Sequence, residues 1–392
     1  LDENMVPNLN PTQYTLVPQH DKAPTIITYS PNQEFEIDES YNINTNFNII
    51  DDYGLHDIFI EYELIVGNEN SNTSKGTWDL KQNFLKNQKN ININKTFNIM
   101  NFNLSMGDEI HFTIIAKDYK QTSKSNKFTG RFPTLEELFE TIENYEESNE
   151  EWIDNIEESI DEILENTEEA YMKLLKNQDL SIEEEKNIAE SIQKTNELFE
   201  EIEKIQENIE KIQEQAEKNK LFDEELMNKF DHFQELLQNM MTPELMEAME
   251  KLQEAMQEMD PNKLMQALEN FEFNVQEFES QLDKFIDMFE MAQAEQKINE
   301  LKKTIEHIIE KQNSLIEKMQ SDSTKTSMLS SRAEKQKERF KEFENILEEA
   351  KKSTESMAPN ISKKLDDLAK NNTTKKAKDN LDQAKEEIKN ED

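Results

Sequence analysis

Phe128-Thr129-Gly130-Arg131-Phe132-Pro133-Thr134-Leu135-Glu136-Glu137-Leu138-Phe139-Glu140 is the stretch that decides the fold. Gly130 is the last of five glycines, after Gly54, Gly67, Gly76 and Gly107, and none follows up to Asp392. Glycine serves turns, bulges and close backbone approaches, so its loss predicts long uninterrupted helix. Pro133-Thr134 ahead of Glu136, Glu137 and Glu140 supplies an N-cap and puts negative charge in the first helical turn, where the helix dipole favours it. The expected fold class is therefore α+β in separate domains, a turn-rich β head followed by a helical body.

Working back toward the N-terminus, the pattern is that of strands. Thr25 to Tyr29 is β-branched and aromatic, and Tyr41, Ile43, Thr45, Phe47 and Ile49 alternate with four asparagines. The same period of two runs through Ile58 to Val66 and Ile110 to Ala116. An antiparallel, immunoglobulin-like β-sandwich over residues 24–132 is expected. Gly67 to Lys75 and Asn87 to Asn94, rich in Asn, Ser and Lys, read as exposed loops, and residues 1–23 as a linker or the tail of a preceding segment.

Forward from Thr134, the elongated coiled-coil domain is expected over 133–358. Sixteen acidic residues and no Lys or Arg lie between Thr134 and Met172, while Ile153, Ile156, Ile160, Ile163 and Thr167 keep one apolar seam. Ser181-Ile182-Glu183-Glu184 is a capping box. The seam Leu198, Ile202, Ile205, Ile209, Ile212, Ala216 then suggests one helix to Asn239, roughly 90 Å long at about 1.5 Å per residue. Thr242-Pro243 reads as a helix start and as a chain reversal, Asp260-Pro261 as another start. Leu264, Leu268, Phe271, Val275, Phe278, Leu282, Phe285 and Phe289 form a further seam, which shifts phase near Met291 and resumes as Ala294, Ile298, Leu301, Ile305, Ile308, Leu315 and Met319. Ser321 to Ser327 reads as a loop, and residues 359–392 as a charged, partly disordered tail. Several long helices with short breaks favour antiparallel hairpins or a slender bundle over a single rod that needs a second chain.

The net charge of −41, from 85 acidic and 44 basic residues, repels nucleic acid and anionic lipid, so no nucleic-acid partner is expected. The chain has no cysteine and no apolar run long enough to span a bilayer. It begins at Leu1, and any anchor is expected upstream of it.

The Asp51-Asp52-Tyr53-Gly54-Leu55 string, Gly107-Asp108 ahead of a strand that ends in Ala116-Lys117-Asp118, and Arg131-Phe132-Pro133-Thr134 resemble a bacterial envelope family of the domain-of-unknown-function 4175 type. Leu16 to Asp21 with Pro24 also resembles that family's junction between sandwich modules, although an uncharged β-run is more usual there. The resemblance implies an N-terminal membrane anchor, β-sandwich modules on the periplasmic side and long Gln-, Glu- and Met-rich helices; it carries no activity. Asp51, Asp52 and Asp57 are candidates for a calcium loop, but the D-x-[DN]-x-[DN]-G spacing is missing, and turn formation with Gly54 at positive φ is the preferred reading. Gly107-Asp108 is expected to turn a hairpin between Phe102-Leu104 and the Ile110 strand. No triad, metal motif or nucleotide loop is present, so neither enzyme nor cofactor is expected. Nine of the 17 methionines lie between Met240 and Met291. Met246, Met249, Met256, Met259 and Met265 are a candidate surface for a partner helix or client peptide, although their a/d-like positions favour core packing. A non-catalytic envelope protein that binds a protein partner or itself through helical seams is expected; the alternative is a chaperone-like or toxin-like client- or membrane-binding protein.

Overall fold

The computed structural model describes residues 13–15, 17, 20–65, 73–80, 87–102, 104, 106–176, 179–258, 260–320, 326–355 and 358–390. Two compact units result, Leu1–Ile37 with Tyr41–Phe132, and Pro133–Asp392 with Asp38–Ser40.

Alternation builds the first unit. β1 (Thr25–Ser30), β3 (Asn42–Ile50) and β6 (Asn90–Asn98) form one antiparallel sheet in the order β1-β3-β6. β2 (Glu34–Glu36), β9 (Phe128–Arg131), β7 (Glu109–Lys117), β4 (Asp57–Ile65) and β5 (Thr73–Asp79) form the other, with β8 (Thr122–Lys124) paired to β7. Ile43, Phe47 and Ile49 from the first sheet meet Ile58, Ile60, Ile110, Phe112 and Ile114 from the second in one buried core. Trp78 stacks on Phe97 at 4.3 Å across that core. Crossovers between sheets and the parallel β2–β9 pair make this an immunoglobulin-like sandwich.

Two segments expected as loops contribute strand. Asn90–Asn94 belongs to β6, pairing with Asn46 to Ile50, because Ile91 and Ile93 point inward while the asparagines point out. Thr73–Lys75 belongs to β5, opposite Glu63 to Ile65; Gly67 to residue 72, and Val66, lie outside the described residues. Asparagine-rich composition hid a regular period of two. The outer face carries paired amides instead, with Asn98 Nδ2 donating to Asn42 Oδ1 at 3.0 Å.

The second unit comprises α1 (Leu135–Leu175), α2 (Ile182–Lys218), α3 (Glu224–Met240), α4 (Pro243–Glu258), α5 (Pro261–Gln320), α6 (Thr326–Ser353), α7 (Pro359–Lys370) and α8 (Asn372–Asn390). Capping boxes start α1 at Thr134 with Glu137 and α2 at Ser181 with Glu184. Cross-links give the directions. Lys173 pairs with Glu184 and Lys194 with Glu162, so α2 returns along α1. Gln213 Nε2 donates to Asp231 at 2.7 Å, so α3 returns along α2. Phe233 meets Phe285 at 5.7 Å and Lys229 meets Glu295, while α4 packs on the start of α5; α3 and α4 together run antiparallel to α5. Gln293 reaches Glu150 at 2.8 Å, closing α5 against α1. Four antiparallel legs thus bury every seam position from Ile153 to Thr167, from Leu198 to Ala216 and from Leu264 to Phe289.

Three expectations for the body are corrected. The helix from Ser181 does not persist to Asn239, because the chain reverses between α2 and α3. Lys220 takes φ +51 there, with Leu221 N donating to Ala216 O at 2.9 Å and Lys220 N to Glu217 O at 3.3 Å, a Schellman stop built without glycine. Asp223 then caps α3, accepting from Leu226 N at 3.1 Å. Thr242-Pro243 is not a reversal but a break within one leg, with Thr242 Oγ1 accepting from Leu245 N at 3.2 Å; the next reversal lies between Glu258 and Pro261. The segment 359–392, expected as a partly disordered tail, contributes α7 and α8, which pack on α6: Asp366 meets Lys351 at 2.9 Å and Lys378 meets Glu344 at 2.6 Å. Lysines alternating with acids on α6 give these helices an ionic register that weak apolar spacing conceals.

Candidate functional site

The motif at the end of the sandwich is a set of backbone staples. Asp51, 5% exposed, accepts at Oδ2 from Tyr53 N at 3.0 Å and from Gly54 N. That turn delivers Leu55 into the core, where Leu55 N donates to Gln88 O at 3.0 Å. Asp52 O accepts from Lys89 Nζ at 2.6 Å, and Tyr53 stays half-exposed below the Lys120 ammonium. Asp118 Oδ1 accepts from Lys120 N and Gln121 N, holding the turn between β7 and β8. Gly107, at φ +82, donates to Phe132 O at 2.9 Å, and Asp108 O accepts from Phe132 N at 3.0 Å. Gly107-Asp108 is therefore not a hairpin turn: it ends a crossover from β6 in one sheet to β7 in the other. Among the described residues, no three of His, Cys, Asp or Glu are placed to hold one metal ion.

The candidate methionines of α4 and α5 differ in exposure. Met249 is buried, Met256 and Met265 are partly buried, Met246 is 47% exposed, and Met259 lies outside the described residues. The aromatic that stands out is Phe273 on α5, 64% exposed among buried neighbours Phe271 and Phe278.

A polar node that sequence reading passed over sits where α1, α5 and α6 meet. Lys297 of α5 pairs with Glu143 of α1, with Glu300 at 3.3 Å and with Glu349 of α6 at 3.3 Å. Burial lowers the lysine's affinity for its proton, but the Glu143 hydrogen bond and the charges of Glu300, Glu143 and Glu349 outweigh it and raise the pKa above the usual lysine range. Burial pushes Glu300 up to about 7 despite Lys297. Next to it Gln296 Nε2 donates to Glu146 Oε2 at 2.9 Å, both side chains being buried, and burial pushes Glu146 up to about 8. Further along α5, burial and then the charges of Arg339 and Lys311 push His307 down to about 3, so it is a neutral imidazole. The signal was present: Glu146 and Asn149 occupy seam positions between Ile142 and Ile153, and the α5 seam loses its apolar phase at Gln296, Asn299 and Glu300, all buried.

Outside the core, acids face acids across the α1–α5 wall. Glu157 is raised by burial and by Asp154, Asp283 and Asp161; Glu279 by burial, Asp283 and Asp161; Glu272 by burial, Glu168 and Glu269. Like charges at this spacing oppose closure of the wall. Asp283→Lys is expected to stabilise the chain by about 0.5–1 kcal/mol at low ionic strength, and by much less in 1 M salt. Urea midpoints at the two ionic strengths measure it, and an unchanged midpoint at low salt would remove the repulsion argument.

Among the described residues the arrangement offers turn-stapling carboxylates, a buried node of acids around one lysine and an anionic exterior. No helix among the described residues is long and apolar enough to cross a membrane. No protein-family profile matches the chain, and no curated protein matches it.

Proposed function

We propose that the chain is a non-catalytic interaction protein of the bacterial cell envelope, in which a β-sandwich carries an acidic helical bundle that binds a basic protein partner. The observation that carries this reading is the closure of the helical seams within one chain: Leu198, Ile202, Phe271, Phe285 and their neighbours are buried by their own bundle, which leaves the charged exterior as the surface on offer. This moves the expected contact from the seams to the acid-lined helix faces. The envelope location and an anchor upstream of Leu1 rest on the resemblance of the Asp51-to-Leu55, Gly107-Asp108 and Asp118 motifs. A second reading, capture of unfolded clients or membranes, has one specific observation in its favour: Phe273 and Met246 are exposed on α5 and α4, which pack together.

A lysine-rich amphipathic peptide of about 20 residues serves as the probe. Binding to the full chain is expected to weaken steeply with salt and to fall severalfold when Glu157, Asp161 and Glu168 are all changed to Gln, with Phe273→Ser without effect. Salt-insensitive binding that is lost in Phe273→Ser, together with capture of a reduced, unfolded protein, would replace the first reading with the second.

A further inference from the structure

The contact between Glu146 and Gln296 is half of a hydrogen-bonded ring. Gln296 Nε2 donates to Glu146 Oε2 at 2.9 Å, while Glu146 Oε1 and Gln296 Oε1 are both buried with no hydrogen-bond partner. Two oxygens on side chains already joined by one hydrogen bond are left without a hydrogen between them. A carboxylate and an amide oxygen are both acceptors only, so an ionised Glu146 leaves both atoms unsatisfied out of reach of water. A carboxylic acid with its proton on Oε1 donates to Gln296 Oε1 and closes the ring. We propose that Glu146 keeps its proton in the folded chain at neutral pH and forms a two-point acid–amide pair with Gln296, a latch between α1 and α5 that opens when the proton is lost.

The surroundings act in the same direction. From α1 itself Glu143 and Glu150 face Glu146, and both disfavour its ionisation. From α5, Lys297 opposes them, but that ammonium is engaged with Glu143, Glu300 and Glu349, the last contributed by α6. From α2, Lys211 is occupied at the Tyr145 ring and at Asn208 Oδ1, 3.4 Å away. The one cation within the node is thus shared among three carboxylates before it reaches Glu146. Burial is the largest cause of the raised pKa of about 8, against an ordinary value of 4.5.

The sign of the pH dependence follows. In the unfolded chain Glu146 loses its proton near its ordinary value, and in the folded chain near 8, so folding takes up a proton between those limits. The latch is complete below the lower limit, its contribution declines as pH rises, and it is gone above the higher limit. Loss of the proton places a third charge beside Glu143 and Glu150 inside the α1–α5 wall, which loosens there first.

Glu146→Gln tests this, because a glutamine makes the same two-point pair with Gln296 and does not titrate. Full-length wild type, Glu146→Gln and the exposed control Glu147→Gln are unfolded in urea at pH 6 and pH 9. Wild type and the control are expected to lose stability over this range by at least about tenfold more in the folding equilibrium constant than Glu146→Gln does. Hydrogen-exchange protection of the α1 and α5 amides around Glu146 and Gln296, taken relative to the intrinsic rate at each pH, is expected to fall at pH 9 in wild type and the control but not in Glu146→Gln. An equal loss in Glu146→Gln would overturn the proposal. If that variant does not fold, 13C titration of the wild-type glutamate carboxyls decides: a resonance titrating near 8 in addition to that of Glu300 near 7 supports the latch, and none above pH 6 beyond that of Glu300 sinks it.

Discussion

Phe285→Asp is expected to unfold the helical bundle, whereas Phe273→Asp, three turns earlier on the same helix, is expected to leave it intact. Phe285 is fully buried, stacks with Phe289 at 5.5 Å and meets the edge of Phe233 at 5.7 Å. Removing such a ring costs about 3–5 kcal/mol, and leaving an unpaired carboxylate in its place adds several more. The sum is comparable with the whole stability of an ordinary domain, about 5–15 kcal/mol. Phe273 has no such role, and a surface change of this kind stays within about 0.5 kcal/mol. Thermal melts followed at a helix-sensitive wavelength compare the two. A cooperative melt of Phe285→Asp within a few degrees of wild type would show that the α3–α5 packing is not as described.

The second large effect is expected at Gly54. Its φ is +107, and a Cβ built there would lie 2.4 Å from Asn87 O and 2.6 Å from Asn87 C. The neighbouring backbone cannot easily yield, since Leu55 N donates to Gln88 O and Asn87 N donates to Leu55 O, 3.0 and 2.9 Å. Gly54→Val therefore combines an unfavourable backbone conformation with a clash against main chain, and a loss of about 3 kcal/mol or more in the sandwich is expected. Trp78, inside the sandwich core, reports on this unit once Trp152 on α1 has been replaced by Phe. A denaturation midpoint of the Trp78 signal unchanged by Gly54→Val would contradict the turn geometry.

What was legible in the sequence was what periodicity records. The seams of α1 from Ile153, of α2 from Leu198 and of α5 from Leu264 to Phe289 were readable residue by residue because over those stretches each is a 3,4 alternation made mostly of large aliphatics or phenylalanines, and burial follows it at every such position. β3 was readable because isoleucine and asparagine differ so much in polarity. The α2–α3 reversal was not, because Lys220 occupies a left-handed position usually marked by glycine; rules that take glycine as the stop signal find nothing in this body. Thr242-Pro243 misled in the opposite way, as a true helix start that does not turn the chain. The node around Lys297 lay hidden because an acid at a seam position reads as a lapse in the pattern until its partners, distant in sequence, are placed beside it. The turn roles of Asp51 and Gly54 followed from residue chemistry alone, while the crossover at Gly107 depended on which sheet the next strand joins.

The order in which the bundle can assemble follows from its register. α1 with α2, α2 with α3 and α4 with α5 each close across a short turn, so these pairings require little loop entropy. The α1–α5 wall is different, joining Glu146 to Gln296 across 150 positions of sequence. Contacts of such separation come late, after the local ones have shortened the effective loop. A nascent chain that has not yet reached Gln296 is therefore a row of finished hairpins with one open flank, and the flank sealed last contains the latch and the facing acids. In the finished protein that wall is the natural line of partial opening, set by chain connectivity before any charge is counted.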